Sequence, residues 1–197
     1  MALPEERPSR APDRAALEKA VEDLLLASGA ALDAETRKTP GRVAKAFAED
    51  LLDGYAHDPV ETLKSSLVPA PRQGELVIVS QLDFHSMCPH HLLPYKGTAA
   101  VGYVADQWLV GFGKIAEATH VLAHRLILQE TLVHQLCEAV TAALLPLGAG
   151  VVITAEHGCM QVRGPMQRQS RVTVEAWGGV FEKDSQLRAS LARRAQG

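Results

Sequence analysis

Apolar residues in the first quarter of the chain recur at helical spacing. Ala16, Leu17, Ala20, Val21 and Leu24 do so within residues 14–28. A second helix is predicted from Thr39, with Thr39 as its cap, Pro40 in its first turn, and Val43, Ala44, Phe47, Leu51 and Leu52 on one face; Gly54 stops it. Residues 55–74 hold Pro59, Pro69 and Pro71 and read as a loop. From residue 75 the pattern changes to β-branched runs: ELVIVSQL (75–82), TAAVGYVA (98–105) and WLVGF (108–112) read as strands, the last two joined by a tight turn at Asp106-Gln107. Residues 114–145 carry Ile115, Leu122, Leu126, Leu132, Leu136 and Val140 near one stripe, a single long helix ended by Pro146 and Gly148. VVITAE (151–156), CMQV (159–162) and RVTVEAW (171–177) read as further strands, and a polar helix begins near Asp184.

This order predicts an α+β protein, with strand groups on either side of a long helix. Residues 1–13 lack an apolar run and read as a disordered tail, 14–74 as a helical arm and 75–197 as the main domain. The βαβ alternation and Gly-rich loop of a dinucleotide- or P-loop protein are missing.

Composition narrows the function. A net charge of −3 does not suggest a nucleic-acid partner, and the apolar runs fall short of the ~20 residues of a membrane span. With no secretory signal in the sequence, a cytoplasmic protein is expected. Three cysteines, an odd number, argue against a disulfide framework.

The chemistry concentrates in two clusters. Cys88-Pro89-His90-His91 sets a thiol and an imidazole three residues apart on a turn after a strand, and His157-Gly158-Cys159 ends another. Two thiolates and one imidazole suit Zn2+ with a fourth position open for water, whose pKa such an ion lowers toward ~7. A structural zinc would instead draw a fourth ligand from His90 or His157. Cys137, in mid-helix, reads as a small core residue. His57, His85, His120, His124 and His134 read as solvated or hydrogen-bonded side chains.

These segments resemble the GTP cyclohydrolase I family. CPHHLLPYKG (88–97) looks like its C-E-H-H-L-L-P-F-x-G, LVGFGKIA (109–116) its V-I-G-L-S-K-L-A, and HGCMQVRG (157–164) its H-x-C-M-x-x-R-G. LILQETLVHQL (126–136), TPGRVAKAF (39–47) and WGGVF (177–181) are similar to three further family segments, in order over about residues 35–195. The resemblance implies a tunnelling fold: an antiparallel sheet with helices on one face, sheets joining across subunits into a barrel, and two pentamers stacked as a decamer. It implies hydrolytic opening of the imidazole ring of GTP with loss of formate, giving dihydroneopterin triphosphate. By the same resemblance Cys88, His91 and Cys159 match the zinc ligands, and His90 and His157 the proton-transfer histidines. Gln129 and Glu130 match the pair that reads guanine, and Lys114 and Arg163 the cations that hold the triphosphate. Arg42 matches a cation supplied by a neighbouring subunit.

Departures from the family fall mostly at the phosphate end. Gly113 stands where Ser is usual, Glu117 where Arg is usual, and Thr131 where an Arg follows Gln-Glu; Pro89 replaces the Glu beside the zinc histidines, and His124-Arg125 an Arg-Arg pair. An acid in place of a cation opposes triphosphate binding. Besides GTP hydrolysis, the sequence therefore admits a zinc hydrolase of the same fold for a purine or pterin with less phosphate, or a non-catalytic zinc-binding paralogue. Fe2+ is the alternative metal.

Overall fold

Asp13 starts the first element. Its carboxylate accepts the Ala16 amide and caps α1 (Arg14–Ala27). The computed structural model describes residues 11–196, so most of the tail expected at 1–13 lies outside the described residues. α2 (Thr39–Ala46) has Pro40 in its first turn, but its cap position is Lys38 rather than Thr39 and no side chain caps it. The helix expected to reach Gly54 changes its winding first, into a π-helical turn (Phe47–Leu51) and a 3-10 turn (Asp53–Ala56). Gly54 lies against backbone there: a Cβ on it would stand 2.2 Å from the Val121 carbonyl oxygen and 2.8 Å from that of His124.

The stretch 55–74 is structured. Asp58 accepts the Val60 and Glu61 amides and caps α3 (Pro59–Lys64), with Pro59 in the first helical position. Leu63 of α3 is fully buried in the main core. β1 (Leu67–Pro69) pairs antiparallel with β4 (Trp108–Val110). The chain bends at Asp106-Gln107 as expected, but the strands on either side do not pair with each other.

The main sheet has four strands, β2 (Leu76–Met87), β3 (Pro94–Val104), β5 (Gly148–His157) and β6 (Val172–Gly179), in the order β2-β3-β5-β6 and antiparallel throughout. Strands from both groups of the sequence thus join in a single sheet, while β4 stays in the two-stranded one. Side chains alternate between its faces. Ala99, Val101, Tyr103, Val151 and Ile153 face α4 (Phe112–Ala123) and α5 (Gln129–Leu144), which pack on them through Ile115, Leu122, Leu132 and Leu136. Ala100, Val104 and Val152, on the other face, pack against Phe181 of α7 (Val180–Lys183) and Leu191 of α8 (Ser185–Ala195). Helices cover both faces, not one as expected, because the small residues Ala100 and Gly102 admit α8; a Cβ on Gly102 would stand 3.3 Å from Leu191. Gln81, at a register shift in β2 and with φ of 57°, aims its amide at the Arg194 and Ala195 carbonyls that end α8.

The single long helix expected over 114–145 is broken. Between His124, whose amide still bonds back to His120, and Leu128, whose carbonyl begins the next helix, helical bonding is interrupted: the Ile127 amide donates to the Met87 carbonyl (3.3 Å), Leu126 bridges Met87 in parallel, and the Leu126 amide donates to the Tyr55 hydroxyl (3.1 Å). Partners distant in the sequence override a continuous apolar stripe. Among the described residues no helix is long and apolar enough to cross a membrane. Cys88, Cys137 and Cys159 are all free thiols.

Candidate active site

The site forms where one end of the sheet meets the α4–α5 break. β2 ends at Met87 and the chain turns back into β3 through Cys88–Leu93, closed by Cys88 N–H to Leu93 O (3.0 Å) and Leu92 N–H to Cys88 O (2.9 Å). This turn presents His90 and His91 to solvent and buries Cys88. β5 ends at His157, directly across from Tyr95 of β3. Beyond it the expected strand 159–162 is instead α6 (Gly158–Gln161). Gly158 passes so close to β3 that a Cβ would lie 2.7 Å from the Pro94 carbonyl, and this forces the turn that carries Cys159 back toward Cys88.

Cys88, His91 and Cys159 converge, with their ligand atoms all within 4.8 Å of one another and Cys88 Sγ 3.8 Å from His91 Nδ1. A tetrahedral ion about 2.3 Å from sulfur and about 2.0–2.1 Å from nitrogen sets its donors roughly 3.5–3.8 Å apart, so the group fits a soft divalent cation. Burial, and then the adjacent Cys88 sulfur, push the Cys159 thiol up, while the Arg163 charge acts the other way. A cation between the two sulfurs would reverse that preference.

The donors open into a pocket of about 260 Å³, walled also by His90, Tyr95, Ile127, Leu128, Gln129, Glu130, His157 and Met160. His157 stacks on Tyr95 with ring centroids 4.8 Å apart and planes 9° from parallel. Tyr95 is held in turn by a hydrogen bond from its hydroxyl to Ile127 O (3.0 Å); burial pushes its phenol up to about 12, so it stays protonated. Burial lowers the His157 pKa, with the Glu130 charge opposing, which keeps the ring neutral near pH 7. Glu130 is exposed in the first turn of α5, where the helix dipole suits a carboxylate. Gln129 is 1% exposed; its amide donates to Ile153 O and Val172 O (both 3.0 Å), and its Oε1 lies 2.7 Å from His157 Nε2.

The cations stand outside the pocket wall, Arg163 near enough for its charge to act on the Cys159 thiol. Arg163, Lys114 and Arg42 do not wall this pocket. Arg163 is exposed just after α6, and Arg42 is exposed on α2. Lys114 sits in the first turn of α4, beside the end of β3 where Tyr103 meets Val110. The strand from Tyr95 to Tyr103 covers about 26 Å, so Lys114 is far from the metal donors of its own chain. It is paired with Glu117 at 2.6 Å.

A larger cleft, of about 650 Å³, opens on the face that α8 partly covers, among Asp83, Lys96, Thr98, Thr154, Glu156 and Arg171. It contains none of the metal donors. Three histidines given plain structural readings form a cluster nearby: His124 stands 4.5 Å from His85 and 5.3 Å from His120 between ring centroids. Tyr95, as the floor beneath His157, is the site residue that the sequence reading missed; its position in the aligned motif was visible, but its cross-strand partner was not.

The model of the GTP cyclohydrolase I family matches residues 17–196. The chain belongs to that family. The curated GTP cyclohydrolase 1 of Chromobacterium violaceum is 37% identical over 182 residues, 92% of this chain and 87% of the relative. That of Ralstonia nicotianae is 38% identical over 189 residues, 95% and 90% of the two chains. The Porphyromonas gingivalis protein of the same name is 42% identical over 148 residues, 75% of this chain and 76% of its own. The matched residues run from within α1 to the end of α8, including both turns that carry Cys88, His91 and Cys159.

Proposed function

We propose that this chain is a GTP cyclohydrolase I, opening the imidazole ring of the guanine of GTP by hydrolysis, releasing formate and yielding 7,8-dihydroneopterin triphosphate. The observation that carries the reading is the convergence of Cys88, His91 and Cys159 in one pocket with Glu130 and His157. Those three side chains would hold the metal, and two thiolates favour zinc. When bound, the metal would supply water activation near neutral pH.

The remaining work falls to the chain itself. The Glu130 carboxylate accepts the adjacent ring N–H and amino donors of guanine, an arrangement that adenine does not offer. His157, kept neutral by burial, takes and returns a proton at the reacting ring, and exposed His90 serves the opposite side. Tyr95 keeps the His157 plane fixed. Arg163 and Lys114 hold the triphosphate as charge-assisted partners. Because Lys114 is remote from its own chain's metal donors, its role requires a second copy, with Arg42 supplied in the same way. This supports a tunnelling-fold assembly, in which the unpaired edges β2 and β6 join between subunits into a barrel and two pentamers form a decamer. On this proposal residues 14–74 are the arm and 75–197 the catalytic domain of a cytoplasmic enzyme.

Incubating the zinc-loaded protein with GTP and reading pterin fluorescence after oxidation tests the proposal. Formate and fluorescence are expected; neither, at full metal occupancy, would overturn it. One observation favours a second reading: the Lys114–Glu117 pair at 2.6 Å neutralises a phosphate-holding cation. Formate from guanosine or its monophosphate, but not from GTP, would select a substrate with less phosphate.

A further inference from the structure

Gln129 walls the pocket, yet its polar atoms turn inward. Both amide hydrogens are taken by backbone carbonyls, Ile153 O on β5 and Val172 O on β6. The carboxamide cannot be flipped, since its oxygen would then face two carbonyl oxygens. Its Oε1 therefore points at His157 Nε2, 2.7 Å away, and an amide oxygen only accepts. His157 must be the donor, so its Nε2 carries hydrogen. Nδ1 makes no hydrogen bond among the described residues and is not shut off from solvent. The δ-protonated tautomer would set two lone pairs against each other in a buried contact, which is costly where nothing else can satisfy them.

We infer that Gln129 is a positioning residue, which locks His157 in the Nε2–H tautomer and leaves Nδ1 as the one nitrogen able to exchange a proton with the pocket. The inference rests on the proposed proton-transfer role of His157. The lock has two parts. Tyr95 fixes the plane of the ring by stacking, and Gln129 fixes its rotation within that plane. Gln129 is itself rigid, at the start of α5 and tied to two strands, so ring, helix and sheet form one unit. Committed in this way, the Gln129 amide has no hydrogen left to offer a base, and guanine recognition falls to Glu130.

The test uses the full-length, zinc-loaded protein. Solid-state 15N spectra of histidine-labelled protein, with His157→Asn for assignment, are expected to show His157 protonated at Nε2 and bare at Nδ1. Gln129→Met, of similar length, should keep its zinc, lose the single tautomer, and lower kcat about 10–100-fold with KM for GTP within about twofold, as expected when a proton-transfer group is misaligned. A wild-type His157 protonated at Nδ1 would overturn the inference, whether or not the variant folds. So would a folded Gln129→Met that keeps wild-type kcat and shows a raised KM, the result for a base-reading side chain. Absence of formate from the wild-type protein would defeat the functional reading alone, because the tautomer spectrum is read without turnover.

Discussion

Replacing Gly54 by alanine probes the junction that breaks the helical segment and shapes the pocket wall. The new methyl would stand 2.2 Å from Val121 O and 2.8 Å from His124 O, both backbone atoms at the end of α4. Carbon and oxygen in ordinary contact are about 3.3 Å apart, so the 3-10 turn must retreat by about 1 Å. Four hydrogen bonds cross this junction. His124 Nδ1 meets Asp53 Oδ1 at 2.7 Å, Arg125 donates to Gly54 O (3.2 Å) and His57 O (2.9 Å), and Leu126 N–H donates to Tyr55 Oη (3.1 Å). A shift of about 1 Å takes most of them beyond bonding range. At about 0.5–1.5 kcal/mol each, losing two or three costs about 1–4 kcal/mol. For a chain of this size that lowers Tm by roughly 2–16 °C. Thermal unfolding at fixed protein and zinc concentration measures it, with Gly113→Ala as control, since nothing lies within 4 Å of a Cβ there. The pocket wall Ile127–Glu130 follows directly, so kcat/KM should fall about tenfold or more. A Gly54→Ala protein melting within about 1 °C of wild type would refute the argument that this backbone contact holds the junction.

Three further outcomes are expected. Cys159→Ser should lose the metal, because a three-donor site has none to spare; elemental analysis showing full occupancy would remove Cys159 from the ligand set. Glu117→Arg should lower KM for GTP only about two- to fivefold and leave guanosine unchanged, since the Lys114 pair is largely solvent-screened, and steady-state kinetics on both substrates decides it. Burial lowers the His124 pKa below 6.5 against the pull of Asp53, with His85 and His120 adding like charge when protonated; its neutral form is favoured in the fold, so stability is complete above about pH 6.5 and falls as pH drops below it. Tm should fall accordingly between pH 7.5 and 5.5, and His124→Asn should flatten the drop.

Much of this was legible in the sequence, and the failures have physical causes. The strands of the main sheet were found because alternation and β-branching are local signals. The convergence of Cys88, His91 and Cys159 was legible because chemistry requiring close approach is written in two short motifs at strand ends. The break between α4 and α5 was not legible: 124–128 carry the same apolar stripe as their neighbours, and the atoms that unwind them belong to Met87 and Tyr55. The turn of α6 was missed because Cys159–Val162 has strand-like composition, while Gly158 bends the chain for contact with Pro94, distant in the sequence. α3 was a different failure, since Asp58-Pro59 is a helix start available to any reader and was outweighed by the prolines nearby. Gln129 shows the limit most clearly. Its place in a motif marked it as a site residue, but only the positions of Ile153 O, Val172 O and His157 show which way its amide faces.

The departures at Gly113 and Glu117 follow from the geometry of one chain. Cys88, His91, Cys159, His157, Tyr95 and Glu130 line one pocket at one end of the sheet, where His157 is held by Gln129 and stacked on Tyr95. Lys114 and Glu117 lie at the other end, in the exposed first turns of α4, tied to nothing in that pocket. In the proposed assembly they meet a neighbour's site from outside, through charge in solvent, where a single contact contributes little and a second cation can stand in for the first. Of the departures, Gly113 and Glu117 lie with Lys114, whereas Pro89 sits between the kept Cys88 and His90, and Thr131 beside Glu130; Cys88, His90, His91, His157 and Cys159 are kept. On the proposed function, the residues assigned to ring opening lie together at one end of the sheet, and Lys114, assigned to phosphate, lies outside that cluster in an ion pair with Glu117.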